Sequence, residues 1–72
     1  MGRDTGITVR LNGEERELSR GMTVREVLES FDLNPELVVV ERNREILDRS
    51  RYPDVEVEEG DELELVHFVG GG

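Results

Sequence analysis

Ile7, Val9 and Leu11 alternate with Thr8 and Arg10. This period-two pattern predicts a strand with one buried face over residues 7–11. Asn12-Gly13 follows, and both residue types accept positive φ, so a two-residue type I′ hairpin turn is expected. The returning strand, 14–18, is weakly apolar and reads as an edge strand protected by its charges. After a loop at Ser19-Arg20-Gly21 the period changes. Val24, Val27, Leu28 and Phe31 stand at i, i+3, i+4 and i+7, which predicts a helix with one apolar stripe. Arg25, Glu29 and Ser30 face water. Thr23 and Glu26 have the spacing of a capping box, and Met22 and Val27 that of a hydrophobic staple. Asn34-Pro35 is the expected stop, because a residue before proline disfavours the helical region.

The run Leu37-Val38-Val39-Val40 is too short for a helix and reads as a well-buried strand. Asn43-Arg44 turns the chain into a short segment at Glu45-Ile46-Leu47. Residues 48–53 are irregular, with room for one tight helical turn and with Tyr52 against the core. Val55 and Val57 alternate with acids, which reads as a strand with a wet side. Glu59-Gly60-Asp61 is a turn, and residues 62–68 form the last strand. The expected class is α+β: a mixed four- to five-stranded sheet with one main helix packed on one face. That order is the β-grasp (ubiquitin-like) arrangement, in which the last strand lies beside the first in the middle of the sheet. Residues 1–5 form a loose lead-in, 6–69 the domain and 70–72 a flexible glycine tail.

At 72 residues one domain is expected. A domain near this size buries only about 60% of the surface its unfolded chain exposes, so it holds one small core and no deep cleft. The formal net charge is −9, from 18 acidic and 9 basic residues. Such a surface repels phosphate backbones and anionic membranes, and it steers toward a partner with a basic face. The chain has no Cys, hence no thiolate nucleophile and no disulfide. It also has no Lys; all nine basic residues are Arg, so no ε-amine is present to capture an activated acyl group. No apolar stretch has the length of a signal-peptide core or a membrane span. Met1-Gly2 lacks the Ser or Thr at position six that myristoylation needs. A cytoplasmic protein is expected.

The candidate chemistry lies at the C-terminal end. Gly70, Gly71 and Gly72 are consecutive, and ordering each would lose the most backbone entropy of any residue. They read either as a frayed end or as a thin strip whose carboxylate can enter a narrow slot. Along the last strand, Leu63, Leu65 and His67 point one way and Glu64, Val66 and Phe68 the other. If the leucines join the core, Val66 and Phe68 lie exposed beside the tail, as docking residues for a partner together with His67 and Val69. His67 is the sole histidine, so no His metal site forms, and nothing in the spacing supports a triad with Ser19, Ser30 or Ser50. The acids from Asp54 to Glu62 do not follow the calcium-loop spacing. The glycines precede no helix, so they form no phosphate loop. No metal and no stably bound cofactor are expected.

Most of the chain resembles one family. The run Val38-Val39-Val40-Glu41-Arg42-Asn43-Arg44-Glu45-Ile46 and the ending Val66-His67-Phe68-Val69-Gly70-Gly71-Gly72 are similar to the ThiS family, the sulfur carriers of thiamine biosynthesis. Leu11-Asn12-Gly13, the Thr23-Val24 helix start and Glu59-Gly60-Asp61 support the likeness. The resemblance implies a carrier and not an enzyme. A ThiF-like adenylyltransferase would use ATP with Mg to adenylate the Gly72 carboxylate. Sulfur from a cysteine desulfurase would convert it to a thiocarboxylate, and a ThiG-like thiazole synthase would accept that sulfur. Gly70 and Gly71 would be the threading arm. The small subunit of molybdopterin synthase (MoaD) shares this fold and chemistry, but its usual ending has Pro before the last small residue and Gly-Gly, where this chain has His67-Phe68-Val69. A sulfur carrier of another pathway, a protein modifier and an inert β-grasp interaction module remain as alternatives.

Overall fold

The computed structural model describes residues 6–68. Its strands are β1 (Gly6–Leu11), β2 (Glu14–Ser19), β3 (Val38–Arg42), β4 (Glu45–Ile46) and β5 (Glu62–His67). The helix α1 (Val24–Ser30) and two 3-10 turns, Pro35–Leu37 and Arg49–Arg51, connect them. The five strands make one sheet in the order β2-β1-β5-β3-β4. β5 is central, parallel to β1 and antiparallel to β3. This is the β-grasp arrangement expected from the sequence, with five strands. The lead-in 1–5 and the tail 69–72 lie outside the described residues.

Both hairpins turn on two residues with positive φ. Asn12 and Gly13 stand at 51° and 84°, Asn43 and Arg44 at 52° and 70°. Primed turns match the right-handed twist of the strands they join. They fix the registers Leu11↔Glu14 and Arg42↔Glu45.

The helix starts where the capping box puts it. Thr23 Oγ1 accepts from the Glu26 N–H at 3.2 Å, and Glu26 Oε1 accepts from the Thr23 N–H at 2.9 Å. It does not run to Asn34-Pro35. Asp32 takes φ 60°, and the chain leaves the helix there. The Leu33 N–H donates to Leu28 O and the Asp32 N–H to Glu29 O, the bond pair of a Schellman cap. Asp fills the place usual for Gly, which its short polar side chain tolerates. Asn34-Pro35 instead opens the next 3-10 turn, with Asn34 Oδ1 accepting from the Glu36 N–H at 2.9 Å.

Val24, Val27 and Leu28 from the helix meet Ile7, Val9, Leu11, Val38, Val40 and Leu63 from one face of the sheet. Tyr52 and Val57 close the remaining side, and Met22 and Phe31 pack at the rim. The run 37–40 is not buried throughout. Val38 and Val40 are fully covered, but Val39 is half-buried and Leu37 is exposed at the end of a 3-10 turn. The helix covers only one face, so alternate residues of a β-branched run reach the other. Residues 54–58 are not a sheet strand either; one bridge, Thr23↔Glu56, joins them to the helix start.

Two polar nodes lock this frame. β4 is only two residues long, so β3 would present bare backbone groups at Val38 and Val40. The Tyr52 hydroxyl fills the gap: it donates to Val38 O at 2.7 Å and accepts from the Val40 N–H at 3.2 Å. Buried Asp61 is the second node. Its Oδ2 accepts from Arg42 Nε at 2.9 Å and from the Glu58 N–H at 2.8 Å, and its Oδ1 from Asn43 Nδ2 at 3.2 Å. This ties the β3–β4 hairpin to the start of β5. Among the described residues no buried side-chain nitrogen or oxygen lacks a partner. No described helix is long and apolar enough to cross a membrane.

Candidate functional site

β5 sets the site because it is hydrogen-bonded on both sides. Its alternation follows the sequence reading. Leu63 is buried and Leu65 packs against the core, on the helix side. Val66 and Phe68 point to the open face, each 53% exposed. His67 is exposed too, but its parity places it on the helix side, so the four expected docking residues do not share one surface. Val69, Gly70, Gly71 and Gly72 lie outside the described residues.

Pairing with β3 enlarges the open-face patch beyond the two residues expected. Val39 stands opposite Val66. The Phe68 N–H donates to Leu37 O at 2.8 Å, which extends the pairing one step and sets Leu37 opposite Phe68. The β3–β4 hairpin adds Ile46, opposite Glu41 and 72% exposed. Exposed apolar residues scattered singly need no explanation, but a contiguous group beside a polar rim marks an interaction surface. Leu37 escaped the sequence reading because its run looked wholly buried. Ile46 was legible in principle, since a two-residue turn at Asn43-Arg44 already fixes its partner.

At the centre of this face a shallow pocket of about 100 Å³ is lined by Val39, Glu41, Ile46, Glu64 and Val66. Glu41 and Glu64 are direct cross-strand neighbours. Among the described residues neither takes part in an ion pair; the recorded pairs are Arg16–Glu14, Arg25–Glu29, Arg42–Asp61 and Arg44–Glu62. Away from this face a larger cavity of about 280 Å³ is lined by Arg25, Arg49, Tyr52 and Pro53 among others. The Ser30 hydroxyl donates to Val27 O at 2.7 Å, as a helix side chain bonded to its own turn. No group of three or more potential metal ligands occurs among the described residues. What the face offers is exposed apolar surface and two facing carboxylates, on and beside the strand that precedes the tail in sequence.

The ThiS family model matches residues 9–72, nearly the whole chain and through the last glycine. The chain belongs to the ThiS family. This ThiS-family chain is 42% identical over 65 residues to the sulfur carrier protein ThiS of Bacillus subtilis, covering 89% of this chain and 98% of that one. It is also 48% identical over 62 residues to a thiazole synthase of Paramagnetospirillum magneticum, of which it spans only 19%, while 86% of this chain is covered. Its fold is similar to the crystal structure of the thiamine biosynthesis protein ThiS from Geobacter metallireducens. That match has a TM-score of 0.78 at 30% identity and covers 92% of this chain and 100% of the other. The ThiS likeness read from the residues therefore stands, and with it the β-grasp fold.

Proposed function

We propose that this chain is a sulfur carrier of thiamine biosynthesis whose Gly72 carboxylate is the group that carries the sulfur. The observation that supports it most is the place of one strand. Central β5 displays Val66 on the open face, Phe68 follows just beyond its end, and the family match runs on in sequence through Gly72. A carboxylate is a poor acyl donor and must be activated first. An adenylyltransferase partner binds the open face and receives the tail together with ATP and Mg. A Gly72 carboxylate oxygen attacks the α-phosphorus, the bond between the α- and β-phosphates breaks, and pyrophosphate leaves. A sulfur nucleophile at the oxidation level of hydrogen sulfide then attacks the acyl carbon. The C–S bond forms, the C–O bond to AMP breaks, and the proton goes to solvent. If a cysteine desulfurase supplies the sulfur as a persulfide, a second thiol must reduce the acyl disulfide to release the thiocarboxylate.

Thiazole synthase is the proposed acceptor, in keeping with the thiazole synthase relative that contains a stretch similar to this chain. The carrier contributes no acid, base or metal to these steps. It presents its acyl group at the end of an arm. Four residues span at most roughly 13 Å when fully extended, a length that suits a narrow channel in a partner. The absence of Lys fits the same reading, because an acyl-adenylate reacts readily with ε-amines.

The test is intact mass after incubation with the adenylyltransferase, ATP, Mg and a sulfur source. The expected product has one oxygen replaced by sulfur at Gly72. Deletion of Gly72, or Gly71→Trp, should abolish that product while leaving the thermal unfolding curve unchanged. Thiocarboxylate formed normally in either variant would sink the reading. Isopeptide adducts on other proteins in place of a thiocarboxylate would make the chain a modifier.

A further inference from the structure

Glu41 and Glu64 are the anomaly of the open face. Residues directly opposite in an antiparallel pair are close, and like charges placed so destabilise a sheet. The bonds Phe68 N–H to Leu37 O and Asn43 N–H to Glu62 O fix the alternation of the ladder. They make Glu41 and Glu64 a hydrogen-bonded pair, with Cα atoms about 5.5 Å apart. Eight of the nine arginines lie in the described part of the chain, yet none pairs with either carboxylate there. The two acids stand side by side and line one shallow pocket with Val39, Ile46 and Val66. An uncompensated pair of this kind offers two convergent acceptors around a space with an apolar base. A guanidinium fits it, with its fork on the carboxylates and its stem on the aliphatic side chains.

We propose that Glu41 and Glu64 form a specificity clamp for an arginine on the docking face of the adenylyltransferase. This rests on the carrier reading above and adds the residues that select the partner. Charge complementarity favours this occupant. An enzyme that gathers ATP around an incoming carboxylate has an electropositive approach to its site, and this chain carries a net charge of −9. Glu64 lies on β5, the strand that precedes the tail in sequence, so seating an arginine between the acids sets the register of that strand against the enzyme. Such pairs act mainly on encounter and register, and they are sensitive to salt.

The experiment measures pyrophosphate release by the adenylyltransferase of the same organism at varied concentrations of the full carrier chain, at low and high salt. The double variant Glu41→Gln, Glu64→Gln should raise KM for the carrier about tenfold at low salt, which is about the loss of one good charge-assisted contact. Its kcat should change less than about twofold, because bound carrier still presents the same tail. The salt dependence of KM should flatten, and the melting temperature should stay level or rise as repulsion is removed. Glu15→Gln, a carboxylate removed from β2, is the control and should leave KM within about twofold. An unchanged KM in the double variant, while the wild type turns over, overturns the clamp and leaves the carrier reading intact. Equal effects of Glu15→Gln also overturn it, since net charge alone would then suffice. An effect confined to binding of thiazole synthase overturns it as well. Failure of the wild-type chain to release pyrophosphate with a competent enzyme overturns the carrier reading and the clamp together.

Discussion

The two faces of the sheet follow different rules. On the helix side Ile7, Val9, Val38, Val40 and Leu63 are almost wholly covered, and each buried polar side-chain atom among the described residues has a partner. On the open side Ile46, Val66 and Phe68 are more than half exposed, and Glu41 faces Glu64. One face is closed by packing, capping and the Tyr52 and Asp61 nodes. The other leaves apolar surface uncovered and charge uncompensated, which natural sheets tolerate where a partner completes them. The difference teaches that the packing that holds the fold and the proposed docking surface occupy opposite sides of a single sheet. Each side is therefore open to change with little effect on the other.

Mutations can break that separation, and the largest effect belongs to the helix side. Leu28 is fully buried, and Leu28→Ala should cost about 3–5 kcal/mol in denaturant unfolding. Marginal stability of about 0.05–0.15 kcal/mol per residue leaves a domain this small little to spare, so much of the variant should be unfolded at room temperature. Tyr52→Phe comes next. It keeps the ring in the core but strands the Val40 N–H and leaves the Val38 carbonyl only the long bond from Arg49 Nη2, so a loss of about 1–3 kcal/mol is expected. Faster amide exchange confined to β3 would locate the damage. Thr23→Ala removes the cap and should cost about 1 kcal/mol. The smallest effect on stability is expected from Val66→Thr, within about 0.5 kcal/mol, because the site is half in water. That variant should nonetheless raise KM for the carrier in the activation assay. If Val66→Thr unfolds the domain, or if Thr23→Ala impairs activation below its melting temperature, the two faces are not independent.

Much of the fold was legible because local signals agreed with one another. Asn12-Gly13, the Thr23/Glu26 box and the i, i+3, i+4, i+7 stripe each specify their element without help from distant residues. The helix end was not legible, because Asp32 adopts the left-handed conformation that a sequence reading reserves for Gly or Asn. What holds it there is tertiary: Leu28 and Leu33 are both in or against the core. Residues 54–58 misread as a strand for a related reason. Alternating Val55 and Val57 satisfy the strand period, but their backbone bonds go to the helix start; the Val24 N–H donates to Val55 O and the Val57 N–H to Met22 O. At the candidate site, the parity of Val66 and Phe68 followed from β5 alone. The opposition of Glu41 and Glu64 required the register between β3 and β5, strands separated by about twenty residues, which no local pattern fixes.

The central place of β5 has a consequence for how the molecule is made. β1 is the first described strand and β5 the last, yet they are neighbours in the sheet. Until β5 has been synthesised, β1 and β3 have no strand between them, and the helix has no complete surface to cover. Folding thus depends on contacts that span nearly the whole domain, the kind that form late and carry the largest loop-closure cost. A chain cut short before Glu62 to His67 cannot close its sheet. Every folded copy has thus been proofread by its own topology for the strand that carries Val66.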